Sequence, residues 1–142
     1  MFKEPGRIIL PIDGSDQSKK AAIKGFSIAK SRNINVYAIH IIHQTHFLVS
    51  PELLSPIEKM MKENANKYLN EIEQIGEKVG LTVEKKIIRG TPYEEIIKFA
   101  KKEDLIVMGN KGKTDIERIL IGSVAEKVIR HAPCDILIVK SD

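Results

Sequence analysis

Short apolar runs alternate with longer stretches of helical periodicity along the chain, and this alternation limits the possible folds more than any other feature. The runs are rich in Ile, Leu and Val, as expected of strands buried on both faces of a sheet, although the third also contains charged residues. They comprise residues 7–12, 36–42, 82–89, 104–108 and 135–140. Strands that alternate with helices predict an α/β fold, in which a parallel sheet carries helices on both faces.

Three segments carry signals for the start of a helix. Ser55-Pro56-Ile57-Glu58 and Thr91-Pro92-Tyr93-Glu94 both have the capping-box pattern, with proline at the first helical position. The first of them predicts a helix that follows an irregular stretch over residues 44–54. Gly122-Ser123 starts the last helix, which must end before Pro133 because proline disfavours helical geometry in the residue that precedes it.

Length, charge and cysteine content narrow the class of protein. The 142 residues fit one domain spanning positions 1–142. A net charge of +4 favours an anionic ligand, whereas an aromatic content of 5% without Trp argues against nucleic-acid binding by base stacking. The single cysteine, Cys134, excludes an internal disulfide and a cysteine-rich zinc site. Without a signal-peptide pattern or a membrane-length apolar run, we expect a cytoplasmic protein with no membrane partner.

The predicted topology indicates where a ligand would bind. We predict a doubly wound, Rossmann-like sheet of five parallel strands in the order 3-2-1-4-5. Such sheets bind ligands beyond the carboxyl ends of their strands, where the strand order reverses. The loop after the first strand, residues 11–15, and the loop after the fourth, residues 108–112, would then line one crevice.

The second of these loops carries a pattern typical of phosphate binding. Gly109 and Gly112 allow the backbone to approach an anion closely, and Gly122-Ser123 stands at the start of a helix, where free N–H groups favour phosphate. Positive charge is provided nearby by Lys111, Lys113 and Arg118. The alternative is that both glycines serve only as turn residues and that Ser123 forms a capping box with Glu126. Spacing alone leaves both interpretations open.

A second possible phosphate-binding motif is incomplete in this sequence. Gly112-Lys113-Thr114 looks like the end of a P-loop, which requires a glycine five positions before Gly112. That position is Val107, so the motif is absent.

Histidine and acidic residues provide weaker hypotheses. His40, His43 and His46 are spaced by three, and in a strand the first two point to opposite faces, so we predict no metal site. Asp13 is more typical of a turn residue or a ribose acceptor than of a general base. No arrangement indicates nucleophilic or acid–base catalysis, so we predict no catalytic residue.

The glycine pattern closely resembles the ATP-binding signature of the universal stress protein family, Gly-x2-Gly-x9-Gly-Ser/Thr, which characterises its nucleotide-binding branch. Here it reads Gly109-x2-Gly112-x9-Gly122-Ser123. Further similar segments span the chain and cover residues 9–15, 90–96, 122–126 and 131–134. One departure is Asn110, which stands where the family often has Ser or Thr. The resemblance implies a doubly wound fold that binds ATP and often dimerises.

The resemblance also implies a set of nucleotide-binding residues at the strand ends and at the start of the last helix: Pro11, Ile12, Asp13, Ile41, Met108, Gly109, Gly112, Gly122, Ser123 and Val124. Asp13 and the adjoining backbone would contact adenine and ribose, and Ile41 would form an apolar wall for the base. Met108 and Gly109 would lie along the ribose and the α-phosphate, and the residues from Gly112 onward would hold phosphates. Mg²⁺ or Mn²⁺ would be bound mainly by phosphate oxygens and water.

These inferences lead to one leading hypothesis and two alternatives. We expect an ATP-binding regulatory module of the stress-response type, in which the nucleotide acts as a switch on the loop over residues 112–121. The alternatives are an enzyme that hydrolyses ATP slowly and a dimeric module without a ligand. The last strand, Ile136-Leu137-Ile138-Val139, is an uncharged sheet edge and therefore predicts an antiparallel homodimer through that strand. The sequence does not identify a protein partner.

Overall fold

The computed structural model describes residues 4–44, 51–113, 115 and 119–141. Its elements alternate as follows: β1 (Arg7–Pro11), α1 (Asp16–Arg32), β2 (Asn35–His43), α2 (Pro51–Lys78), β3 (Val83–Gly90), α3 (Pro92–Phe99), β4 (Leu105–Gly109), α4 (Ser123–His131) and β5 (Asp135–Val139). The strands form one parallel sheet in the order β3-β2-β1-β4-β5. The predicted fold class and strand order are therefore confirmed.

The central strand β1 divides the apolar core into two layers. Ile8 and Leu10 point into a layer formed with α1 and α2, whereas Ile9 points into a layer formed with α3 and α4. All three side chains are fully buried, as expected for alternating residues of a strand covered by helices on both faces. The consequence is that only the ends of β1 are open to a ligand.

Local sequence explains why α1 begins and ends where it does. The Ser15 hydroxyl accepts a hydrogen bond from the Ser18 N–H at 3.1 Å, which caps the first turn. Asn33 ends the helix in the left-handed conformation, with φ of 54°. Gly25 lets α1 approach β1, because a Cβ at this position would lie 2.6 Å from a methyl carbon of Leu10.

Helix α2 differs from the prediction, because it includes Pro51 to Leu54 and places Pro56 inside the helix rather than at its first position. The Ser55 capping box is therefore wrong. Proline removes one N–H from the helix, and water can compensate here because residues 52–56 are exposed. Helix α3 does begin at Pro92 with Thr91 as N-cap, although the Thr91 hydroxyl makes no capping bond. Among the described residues, no helix combines the length and the apolar character needed to cross a membrane.

A closed ionic cluster lies at the amino end of the sheet. Arg7 donates to both carboxylate oxygens of Asp104, at 3.0 and 2.7 Å, and to the carbonyl of Phe99 at 3.0 Å. Its guanidinium carbon also lies 4.9 Å from the ring centre of Tyr37 and 4.8 Å from that of Phe99. The Lys101 N–H donates a further bond of 2.7 Å to Asp104. The hydrogen bond and charge of Asp104 raise the pKa of Arg7 above its usual value.

Candidate functional site

A cavity of about 310 Å³ lies beyond the carboxyl ends of β1, β2 and β4. Of the ten residues that the sequence nominates, nine line this cavity: Pro11, Ile12, Asp13, Ile41, Met108, Gly109, Gly112, Ser123 and Val124. The tenth, Gly122, directly precedes the lining residue Ser123 as the N-cap of α4. The fold thus brings together residues separated by more than 100 positions, because parallel strands end at the same edge of the sheet.

The loop after β1 is held by Asp13. One carboxylate oxygen accepts bonds from the Ser15 N–H at 2.9 Å and from the Ser15 hydroxyl at 2.5 Å. The other accepts a bond of 2.9 Å from the Lys113 N–H, in the loop after β4. Gly14, with φ of +85°, makes the turn and lies against the Tyr68 ring. Asp13 therefore joins the two loops that border the cavity.

One side of the cavity is apolar. It includes Ile41 at the end of β2, Met108 in β4, and Pro92 and Ile96 in α3. Uncharged, branched or thioether side chains of this kind suit the face of a planar ring. The sequence identified Ile41 and Met108 but missed the two residues of α3, whose position depends on how that helix packs on the sheet.

His40 also lines the cavity, next to the Tyr68 ring of α2, and makes a structural hydrogen bond. Its Nδ1 lies 2.6 Å from the carbonyl oxygen of Ile12. A carbonyl only accepts, so Nδ1 carries the proton. His43 also lines the cavity, whereas His46 lies outside the described residues. Within the described ranges, no group of three or more His, Cys, Asp or Glu side chains is placed to hold a metal ion.

A second part of the cavity, which we call the cradle, is formed by Gly112, Gly122 and the first turn of α4. A Cβ at Gly112 would lie 3.0 Å from an oxygen of Asp13, and a Cβ at Gly122 would overlap an oxygen of Asp115. A larger side chain at either position would therefore displace one of these carboxylates. The Gly112 N–H donates to this Asp115 oxygen at 2.6 Å. A backbone N–H of the cradle thus holds an anionic group.

The start of α4 tests the interpretation of Ser123 as a helix cap. The N-cap of α4 is Gly122, whose carbonyl accepts the Glu126 N–H at 3.0 Å, so Ser123 is the first helical residue. The capping box of Ser123 with Glu126 is therefore wrong. Gly122 has no side chain that could cap the first turn, and among the described residues no side chain caps this helix start. Ser123 and Val124 of this turn line the cavity, where free N–H groups favour an anion.

Asn110 fixes both ends of the loop that carries the cradle. Its side chain is buried, with 4% exposed, and its amide nitrogen donates to the Leu120 carbonyl at 2.7 Å. Its amide oxygen accepts from the Ser141 N–H at 2.9 Å, and its backbone carbonyl accepts from the Gly122 N–H at 2.6 Å. The sequence marked Asn110 only as a departure from the family pattern; in the structure it joins the two ends of this loop.

Two lysines contribute positive charge at the site. Lys111 and Lys113 line the cavity, and the Lys113 ammonium donates to the Tyr68 hydroxyl at 2.7 Å. The third predicted cation, Arg118, lies outside the described residues. The predicted loop over residues 11–15 also contributes Ser15, whereas sequence reasoning missed three further lining residues: Ser18, Asp115 and Ala125.

Comparison with known proteins gives a consistent result. The model of the universal stress protein family matches residues 5–140. Universal stress protein MJ0531 of Methanocaldococcus jannaschii is 42% identical over 141 residues, covering 94% of this chain and 81% of that protein. The solved structure of hypothetical protein MJ0577 is 30% identical with a TM-score of 0.86, covering 99% of both chains. A universal stress protein in complex with cAMP is 26% identical with a TM-score of 0.74, covering 96% of this chain and 98% of that one.

Proposed function

Since the chain belongs to the universal stress protein family, we propose that it is an ATP-binding regulatory module in which the nucleotide acts as a conformational switch. The observation that carries this proposal is the start of α4, which has no side-chain cap and lies beside Gly112 and Gly122 at a cavity that also has an apolar lining. This combination suits a ligand with a flat apolar ring at one end and phosphates at the other.

The base and the ribose fit the side of the cavity formed by β1 and β2. Ile41 and Met108 would pack against adenine, and the backbone of Pro11 and Ile12 would contact its edge. The Ile12 carbonyl faces His40 with one lone pair and has a second one available. The Asp13 oxygen bonded to the Lys113 N–H would accept a ribose hydroxyl, since a carboxylate oxygen can take two hydrogen bonds and this one takes a single bond from the described residues.

The phosphates fit the cradle. The N–H groups of Gly112, Ser123 and Val124, together with the Ser123 hydroxyl, would donate to phosphate oxygens, and Gly109 would lie along the α-phosphate. Lys113 would add a positive charge. Mg²⁺ or Mn²⁺ would be held mainly by phosphate oxygens and water, which is the usual mode for magnesium in nucleotide sites.

The ligand class has support from a relative. The universal stress protein in complex with cAMP holds an adenine nucleotide and shares 26% of its residues with this chain. The switch would follow from the cradle's construction, because Gly112 and Gly122 both contact phosphate and stand at either end of one loop. Binding would then change the surface that this loop presents to a partner.

Mass spectrometry of the denatured, freshly purified protein tests the proposal, and adenine nucleotide is the expected co-purified species. Calorimetry with ATP and magnesium should give binding that Gly112→Val removes, because the valine side chain fills the cradle. Gly6→Ala at the opposite end of the sheet is the control and should bind normally. Absence of co-purified nucleotide together with a flat titration would refute the proposal.

Hydrolysis is the enzymatic alternative. Within the described part of the chain, both oxygens of Asp13 already accept hydrogen bonds from Ser15 and Lys113, which disfavours it as a base for an attacking water. Steady-state phosphate release well above about one turnover per minute would favour an enzyme over a switch.

We also propose a homodimer that pairs two copies of β5 in antiparallel fashion. Strand β5 is a sheet edge, and its residues Ile136 to Ile138 are only half-buried. The other edge, β3, is protected by the exposed charges of Glu84, Lys85 and Lys86. Light scattering at micromolar concentration should give twice the mass of one chain; a monomer would overturn this proposal.

A further inference from the structure

The cradle described above contains a carboxylate of the protein itself. Asp115 Oδ2 accepts the Gly112 N–H at 2.6 Å, and the Asp115 N–H points back to the Gly112 carbonyl at 3.3 Å. The same oxygen lies so close to Gly122 that a Cβ there would overlap it. Asp115 thus fills the space between the two glycines, which no sequence pattern indicated.

A carboxylate and a phosphate compete for such a place on two grounds. The Gly112 N–H has a single hydrogen, so a short bond to Asp115 leaves little donor strength for another acceptor. Both groups are also anions, and like charges in a half-buried cavity repel more strongly than in water. Phosphate can therefore enter the cradle only after the Asp115 carboxylate has left it.

The rest of the loop allows this exchange. The Lys113 N–H is anchored separately on Asp13 at 2.9 Å, and the Gly122 N–H on the Asn110 carbonyl at 2.6 Å. These two bonds hold the cradle's backbone in place and do not involve Asp115. Departure of the carboxylate therefore frees donors without dismantling the cradle.

Resting on the nucleotide-binding function proposed above, we infer that Asp115 is an internal competitor for the phosphate subsite and sets the affinity of the switch. The closed state has the Asp115 carboxylate on Gly112, and the open state has a phosphate there. For a ligand that must displace the carboxylate, the apparent Kd equals the intrinsic Kd divided by the fraction of molecules in the open state. A nucleoside without phosphates does not experience this competition.

The test compares ATP with magnesium and adenosine by calorimetry on the full chain and on Asp115→Asn. Loss of the negative charge should tighten ATP binding about three- to tenfold and leave adenosine binding unchanged. Asp115→Ala, which has no acceptor at all, should show an equal or larger gain. Glu77→Gln removes the same charge from an exposed position at the far end of α2 and should change neither ligand.

The outcomes separate this inference from the proposed function. If the unmodified protein binds ATP and both Asp115 variants bind it equally or more weakly, the competitor is refuted and nucleotide binding stands. An equal gain for adenosine, or the same gain in Glu77→Gln, would also refute the competitor, since neither result involves the phosphate subsite. If neither the unmodified protein nor any variant binds nucleotide, the proposed function is refuted, and this inference is refuted with it.

Discussion

Each end of the sheet holds an aspartate next to a strand, and the two aspartates differ in burial and in their hydrogen-bond partners. Asp104, just before β4, has a side chain that is 3% exposed and accepts two bonds from the Arg7 guanidinium. Asp13, just after β1, is half-buried and accepts bonds from the Ser15 N–H and hydroxyl and from the Lys113 N–H. At the amino end, the Arg7 guanidinium neutralises the Asp104 carboxylate. At the carboxyl end, the Asp13 carboxylate accepts hydrogen bonds that hold two loops in place.

This difference follows from the topology. In a parallel sheet the connections that leave the strands gather at the carboxyl edge, so that edge carries the loops, the glycines and the helix starts. The amino edge is free to become a closed cluster that stabilises the fold, as Arg7 shows between Tyr37 and Phe99. Functional sites commonly lack some of the local interactions that stabilise a fold. Here the clearest example is the start of α4, which has no side-chain cap.

The largest expected effect is at the amino end. Asp104→Asn should lower the free energy of unfolding by about 2–4 kcal/mol, because the Arg7 charge would lose its carboxylate partner in a largely buried place. Urea unfolding measures this, and calorimetry should show ATP affinity within about twofold of the unmodified protein. Loss of ATP affinity without loss of stability would contradict the division between the two ends.

A control and a pH series sharpen the same experiment. Glu4→Gln removes the exposed ion pair with Arg32 at the same edge and should change stability by less than about 1 kcal/mol. Asp104 raises the pKa of Arg7. A basic group whose pKa is raised by folding contributes its full stabilisation at every pH below its pKa in the unfolded chain. The difference between Asp104→Asn and the unmodified protein should therefore stay constant from about pH 6 to about pH 8, below the range in which Cys134 titrates.

An intermediate effect is expected at the carboxyl end, with the opposite pattern. Lys113→Met removes an exposed ammonium that contacts Tyr68, so stability should change by less than about 0.5 kcal/mol. ATP affinity should fall about three- to tenfold, because a point charge near the phosphates is lost, while adenosine affinity stays unchanged. Lys24→Met on the exposed face of α1 is the matched control. A loss shared by adenosine would show that Lys113 acts on the whole cavity instead.

The sequence predicted the strand order from the alternation of strands and helices along the whole chain, and the cradle glycines from their spacing. It failed where a local pattern fits more than one structure, as at Ser55, which lies inside α2, and where distant residues meet. Ser123 was ambiguous because Gly and Ser are both good N-caps, and the choice is made by the bond from Gly122 to Asn110. Arg7 and Asp104 are 97 positions apart, so only the fold reveals their pairing.

The smallest expected effect concerns Cys134, which packs into the core layer formed with α3 and α4 near the amino end. Burial, with a contribution from the negative charge of Asp104, raises the pKa of the Cys134 thiol. As pH rises, the thiol therefore ionises in the unfolded chain before it ionises in the folded protein. The protonated thiol costs no stability below the ordinary cysteine pKa, and the free energy of unfolding falls as pH rises from that value through the raised pKa.

Above about pH 9, the unmodified protein should consequently lose more stability than Cys134→Ser, by less than about 1 kcal/mol because the thiol is partly solvated. Urea unfolding at several alkaline pH values measures the difference in slope, and equal slopes would contradict the raised pKa. Thiolate absorbance provides a second measurement. Asp104→Asn should lower the thiol pKa because a nearby negative charge is removed, whereas Lys113→Met should leave it unchanged because it lies at the other end of the sheet.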